Sequence, residues 1–229
     1  MTRLLLLLPL LLLACARPLT PSEAAFAKNL LGDDLQTQSI RLAPFTALTT
    51  ISQRRPPRPR VACRERIWPA PTVTKGTVET FTAAFVTFNR LNIADTLFEP
   101  DYLPAFPDQL SLPAAMFIGH ELTHVWQWQN RATTGYSPLK AAGEHRPGTD
   151  PYLLDLASNP AFLDFPFEQQ ASIVEEFICC TALDPKGGRT ARLRDMLRPF
   201  FPADALAGRL ENVAISVPWQ GVKRRGICS

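Results

Sequence analysis

An α+β domain is what this sequence predicts, and three observations carry that expectation. The stretch from Thr77 to Phe88 is rich in Thr, Val and Phe, the composition of a strand. Two helical stretches follow it: one is announced by Ser111 and Pro113 and runs to about Asn130, and the other is opened by Asp164 and Pro166 and runs to Leu183, where Asp184-Pro185 stops it. The chain also carries 22 prolines in 229 residues, which break it into short elements and loops and argue against a regular bundle or a clean parallel sheet. Apolar residues make up 46%, enough to fill a core, so the chain is not of the disordered class.

The remaining elements follow in order. Residues 1–15 read as a lipoprotein signal peptide. Met1-Thr2-Arg3 is a short basic start, and the leucine run to Leu13, broken only by Pro9, is too short to span a bilayer. Leu12-Leu13-Ala14-Cys15 resembles a bacterial lipobox, with Cys15 as the lipidated residue. The alternative is an ordinary signal peptide cut near Ala16. Several acyl chains on Cys15 would anchor the protein stably, at about 0.8 kcal/mol per buried methylene. Ala16, rather than Asp, after the cysteine favours the outer membrane, so the expected location is the periplasmic side of the cell envelope. Residues 16–229 then form a single domain, the length suiting no more.

Pro18 to Gly32 reads as a helix capped by Thr20 or Ser22, with Glu23 in its first turn and Gly32 after its last apolar residue. Ile40 to Leu48 and Val61 to Trp68 read as short strands. Asn89 to Pro113 reads as irregular, and Ala132 to Asn159 as a long, functional loop. One or two short helices are expected between Arg189 and Leu210. The run Arg54-Arg55-Pro56-Pro57-Arg58-Pro59-Arg60 is basic, but prolines punctuate it and no aromatics interleave. It reads as a solvated loop or linker rather than a nucleic-acid patch; the formal charge of +3 argues neither way, and no nucleic-acid partner is expected.

Without Cys15 the cysteines are Cys63, Cys179, Cys180 and Cys228. An even count in an exported protein reads as two disulfides. Adjacent cysteines rarely bridge each other, so Cys63 and Cys228 are each expected to take one of Cys179 and Cys180.

The chemistry lies in His120-Glu121-Leu122-Thr123-His124. On a helix, positions i and i+4 share a face, so both imidazoles reach one metal ion, and Glu121, turned about 100° from His120, falls beside the metal as a general base for water. A chance match in a chain of this composition is on the order of one in several hundred. The motif also sits mid-helix, behind an apolar side of Ala114, Ile118, Leu122 and Val125. Catalytic zinc takes three protein ligands, so one must come from elsewhere. Gln127 and Asn130 exclude the metzincin extension, which needs Gly and His there. Gly148-Thr149-Asp150-Pro151-Tyr152 approaches the aspzincin pattern without completing it. The gluzincin pattern is a Glu on a second helix, and Glu168 fits, followed by Ala171, although Ser172 stands where that pattern often has Asp. Glu175, seven residues on and nearly on the same face, supplies a carboxylate behind a ligand histidine; Glu175 and Glu176 are the alternative ligands. A donor for the developing oxyanion is expected from Tyr152, with His145 and Tyr136 as alternatives. Trp126 reads as core, and Trp128 as core or cleft wall.

Three stretches together resemble a known group: Leu19-Thr20-Pro21-Ser22-Glu23 through Leu31-Gly32-Asp33 to Ile40-Arg41; Phe117-Ile118-Gly119 with the motif through Gln127; and Phe167 to Glu176. They resemble the bacterial Vgr-related zinc metallopeptidases, kin to the core domain found with extracellular contractile injection systems. The resemblance implies a minimal zincin-like domain: a small β-sheet, the motif helix, and a second ligand-bearing helix crossing it below a cleft. It implies zinc and names no substrate. The expected function is zinc-dependent hydrolysis of a peptide or protein substrate in the envelope. Its rival is a non-catalytic envelope or secretion-associated binding module, with zinc structural or absent.

Overall fold

A computed structural model describes residues 16–47, 52–146, 149–155 and 160–229. Cys15 and the leader lie outside the described residues. Helix α1 (Pro21–Leu31) begins in a capping box: the Thr20 hydroxyl accepts from the Glu23 amide, and the Glu23 carboxylate accepts from the Thr20 amide. Gly32 closes it at φ 78°, a conformation open to glycine. Strand β1 (Arg41–Pro44) follows, then β2 (Ser52–Arg55), the short helix α2 (Cys63–Arg66), β3 (Val78–Phe81), β4 (Ala84–Thr87), β5 (Arg90–Ile93) and β6 (Gln109–Ser111). The long helix α3 (Leu112–Gln129) leads through α4 (Arg131–Thr134) and α5 (Pro138–Ala142) to a second long helix, α6 (Phe167–Leu183). Helices α7 (Gly188–Leu197) and α8 (Ala203–Leu210) and strand β7 (Ala214–Ser216) complete the order.

The architecture is α+β with small sheets. Central β5 pairs in parallel with β1 and antiparallel with β4; β2 and β3 form an antiparallel ribbon, and β6 and β7 a parallel pair. The core is the crossing of α3 and α6, where Ile118, Leu122 and Val125 meet Val174, Phe177 and Ile178, all buried. Gly119 lets the helices close: a Cβ there would lie 2.4 Å from the Ile178 Cδ1 and 3.2 Å from the Leu30 Cδ2. Trp126 is buried against Phe201. Trp128 is half-buried, tilted against Phe88 at 4.6 Å between centroids and capped by Arg131. Among the described residues, no helix is long and apolar enough to cross a membrane.

Four local expectations are corrected. Val61 to Trp68 is not a strand: it holds helix α2, because the Glu176 carboxylate accepts the amides of Cys63 and Arg64 at 2.9 and 3.0 Å and so caps a helical turn. Thr77 to Phe88 is two strands, since β3 pairs with β2 while β4 pairs with β5; the strand-like composition names neither partner. Asn89 to Pro113 contains β5, a 3-10 turn at Asp95–Leu97 and β6. The basic run is no free loop: it begins inside β2, and Arg58 donates to both oxygens of Asp150.

The disulfides join Cys63 to Cys179 and Cys180 to Cys228. Adjacent positions on α6 face different ways, so one helix holds both α2 and the C-terminal segment. The second bridge spans 48 residues, for which loop-closure entropy gives about 4 kcal/mol. The Cys180→Ser/Cys228→Ser variant is therefore expected to lose about 2–4 kcal/mol of unfolding free energy, read from denaturant midpoints by circular dichroism.

Candidate metal centre

The i and i+4 spacing on α3 puts the rings of His120 and His124 on one side, 5.1 Å apart between centroids. Opposite them, Glu168 stands in the first turn of α6, buried at the helix crossing. Its Oε2 lies 3.3 Å from the His120 Nε2 and 3.2 Å from the His124 Nε2, and the three ligand atoms all fall within 4.8 Å of one another. Tetrahedral bonds of about 2.05 Å would put ligand atoms about 3.3 Å apart. Two imidazole nitrogens and one carboxylate oxygen this close together could hold a metal ion.

The outer nitrogens of the two rings meet different acceptors. The His124 Nδ1 lies 2.8 Å from the Gln127 Oε1. The Gln127 amide spends its N–H groups on the Phe167 carbonyl and the Gln170 Oε1, so its oxygen accepts and the proton sits on Nδ1. With Nδ1 protonated, the neutral ring turns its Nε2 lone pair to the cluster, and only the imidazolium also donates from Nε2 to the Glu168 Oε2. The His120 Nδ1 faces the Glu175 Oε2 at 3.5 Å, and the same oxygen takes a hydrogen bond from the Arg64 Nη1 at 3.0 Å.

Charge follows this geometry. Burial alone would raise the Glu168 carboxyl, but the charge of His124 and hydrogen bonds from His120, His124 and His145 outweigh it and hold the group well below the usual carboxylate range. Burial alone would lower His120, but its bonds to Glu168 and Glu175 prevail and raise it to about 10. Glu121 is buried beside the cluster, and burial pushes its carboxyl up, the direction that makes a carboxylate a better base near neutrality.

The expected oxyanion donors all border the cluster. The Tyr152 ring lies 5.7 Å from that of His120, and Tyr136 lies 6.3 Å from that of His124. Burial raises both phenols, keeping them protonated donors at neutral pH. The His145 Nε2 is 2.9 Å from the Glu168 Oε1, the oxygen turned away from the other histidines, and its side chain is 43% exposed. Of the alternative ligands, Glu175 lies behind His120, on its Nδ1 side. Glu176 is spent on α2 and on Arg189 at 3.1 Å, and Asp150 on Arg58.

Several residues at this centre escaped the sequence reading. Gln127 had a signal, since i+3 from His124 lies on the same face. Glu144 adjoins His145 and takes the Phe167 and Glu168 amides at 2.8 and 2.9 Å, capping the N-terminus of α6 with a negative charge. Arg64 comes from more than 100 residues away, and no local pattern points to it.

The site is thus a cluster of two histidines and a glutamate that could hold a metal ion, on two crossed helices of an α+β domain. Among solved structures, the effector domain of Pseudomonas aeruginosa VgrG2b resembles this chain, at 19% identity and a TM-score of 0.49, with 81% of this chain and 83% of that one covered. A likeness at that level carries no function across. No protein-family model matches the chain, and no curated protein matches it.

The wall that carries Tyr152 is tied down by Arg58 and Asp150. Burial alone would raise the Asp150 carboxyl, but the Arg58 hydrogen bonds and charge hold it below its ordinary value. A depressed carboxyl adds stability above its unfolded pKa of about 3.9 and loses it as pH falls through the folded value. Wild type is expected to melt above Asp150→Asn at pH 6, with the gap closing progressively below about pH 4, read by differential scanning fluorimetry.

Proposed function

We propose that this protein is a zinc metallopeptidase of the gluzincin kind, on a zincin-like domain, with His120, His124 and Glu168 as ligands and Glu121 as general base. The observation that carries the reading is the convergence of the three ligand atoms, within 4.8 Å of one another and with both histidines 3.2–3.3 Å from the Glu168 Oε2, with an acidic neighbour at the motif's second position.

Zinc, when bound, would polarise the scissile carbonyl and acidify water. Glu121, made more basic by burial, takes a proton from the attacking water and returns it to the leaving amine. Tyr152 donates to the oxyanion that develops on the carbonyl, with His145 and Tyr136 beside it. Gln127 and Glu175 orient the two histidines from behind. The substrate class is peptide or protein, met on the periplasmic side of the envelope, where both disulfides are stable and a lipid on Cys15 would hold the enzyme at the membrane.

Metal analysis of the purified protein by mass spectrometry is expected to find one zinc per chain, lost or greatly weakened in Glu168→Ala. No zinc in wild type would sink the proposal. Glu121→Gln is expected to retain zinc while cleavage of a mixed peptide library falls about 10²–10⁴-fold; equal cleavage would remove the general base. Tyr152→Phe should keep zinc and KM while kcat falls about 10²–10³-fold, and an unchanged kcat would transfer the donor role to His145 or Tyr136.

A further inference from the structure

Arg64 is 6% exposed, and a guanidinium removed from water costs several kcal/mol unless its donors are met. Its partners come from two other parts of the chain. On α6 the Nη1 donates to the Ser172 Oγ and to the Glu175 Oε2, both at 3.0 Å. On the cleft wall the Nη2 donates to the Tyr152 carbonyl. Its own neighbour Glu65 lies 2.9 Å from the Nε as an ion pair, although the Nε makes no hydrogen bond. Glu175 cannot be held against His120 by the imidazole alone, since that approach is 3.5 Å and the carboxylate is partly open to water. The guanidinium holds it there. Helix α2, four residues long, is too short to persist unaided; the Cys63–Cys179 bridge and the Glu176 carboxylate fix its start to α6 at Cys63 and Arg64.

We propose that Arg64 is a positioning residue for the metal centre: it fixes the Glu175 oxygen that orients His120, and the same guanidinium pins the backbone of Tyr152. The proposal rests on the reading of His120, His124 and Glu168 as metal ligands. Lysine cannot replace the fork fully, because an ammonium is one point and these acceptors lie in several directions.

The test is metal affinity, read by competition with a chromophoric chelator for Zn²⁺ and Co²⁺, together with the visible spectrum of the Co²⁺-loaded protein. It compares full-length wild type, Arg64→Met, Arg64→Lys and Glu175→Gln, with melting of the metal-free proteins recorded alongside. Arg64→Met is expected to weaken both metals about 10–100-fold and to shift the Co²⁺ bands, with Arg64→Lys recovering part of each. Adding Glu175→Gln to Arg64→Met should cost little more than either change alone, because Arg64 acts through Glu175. A folded Arg64→Met protein with wild-type affinity and spectrum overturns the proposal while leaving the ligand reading intact. If Arg64→Met does not fold, Arg64→Lys and Glu175→Gln decide: wild-type affinity and spectrum in both overturns it equally. Wild type that takes up neither metal overturns the ligand reading, and this inference with it.

Discussion

The Glu168 carboxylate, buried where α3 and α6 cross, sets the terms for the rest of the site. A carboxylate in such a place would otherwise take up a proton. It stays ionised because both of its oxygens are met: one by two imidazoles on α3 and the other by His145. The crossing must therefore be tight enough to bring α3 within hydrogen-bond reach, and Gly119, one residue before the motif, provides that closeness. The first turn of α6 must also be held still, and the Glu144 carboxylate on its free amides does this. A packing constraint and an electrostatic one meet on neighbouring residues, Gly119 and His120, so the apolar core and the polar centre form one structure.

The two histidines are supported unequally. His124 leans on a neutral amide whose other two bonds both go to the first turn of α6. His120 leans on a carboxylate whose charge is balanced by an arginine from a distant helix. A carboxylate behind a ring makes it a stronger donor than an amide does, so in the proposed centre His120 would be the stronger donor, and it is the more dependent on remote structure. That dependence explains why a four-residue helix is anchored by both a disulfide and a buried carboxylate.

How much of this could be read from the sequence divides along one physical line, the range of the interaction. Helices α1, α3 and α6 were legible because caps, prolines and apolar spacing act within a few residues, and the side-by-side placement of His120 and His124 follows from helical pitch alone. The grouping of Cys63 and Cys228 with Cys179 and Cys180 came from a local prohibition on bridging neighbours. What was not legible depended on distant partners. Val61 to Trp68 has strand-like residues but takes its helical turn from Glu176, and Thr77 to Phe88 looks like one strand because composition does not reveal that β2 takes one half and β5 the other. Arg58 looked solvated because nothing near it in sequence offers the carboxylate it finds at Asp150. Glu168 was singled out by pattern, yet its convergence with the histidines is a property of the α3–α6 crossing, which no spacing encodes.

The cleft wall raises a final question of rigidity. His145, Tyr152 and Tyr136 are all carried by connecting segments, which ordinarily hold a side chain less firmly than a helix does. Here those segments are pinned close to each functional residue. Tyr136 packs its ring on Phe167 at the start of α6. Glu144, next to His145, is bound to the same turn. Tyr152 has Arg64 on its carbonyl and the Arg58 guanidinium over its ring at 5.0 Å, with Asp150 two residues away held by the same arginine. Three anchors of unlike chemistry, an aromatic contact, a helix cap and an arginine pair, thus replace the regular hydrogen bonding the segments lack. Because two of these anchors end on the first turn of α6, the turn that positions Glu168 also positions the groups opposite it, and a shift there would move ligand and cleft wall together.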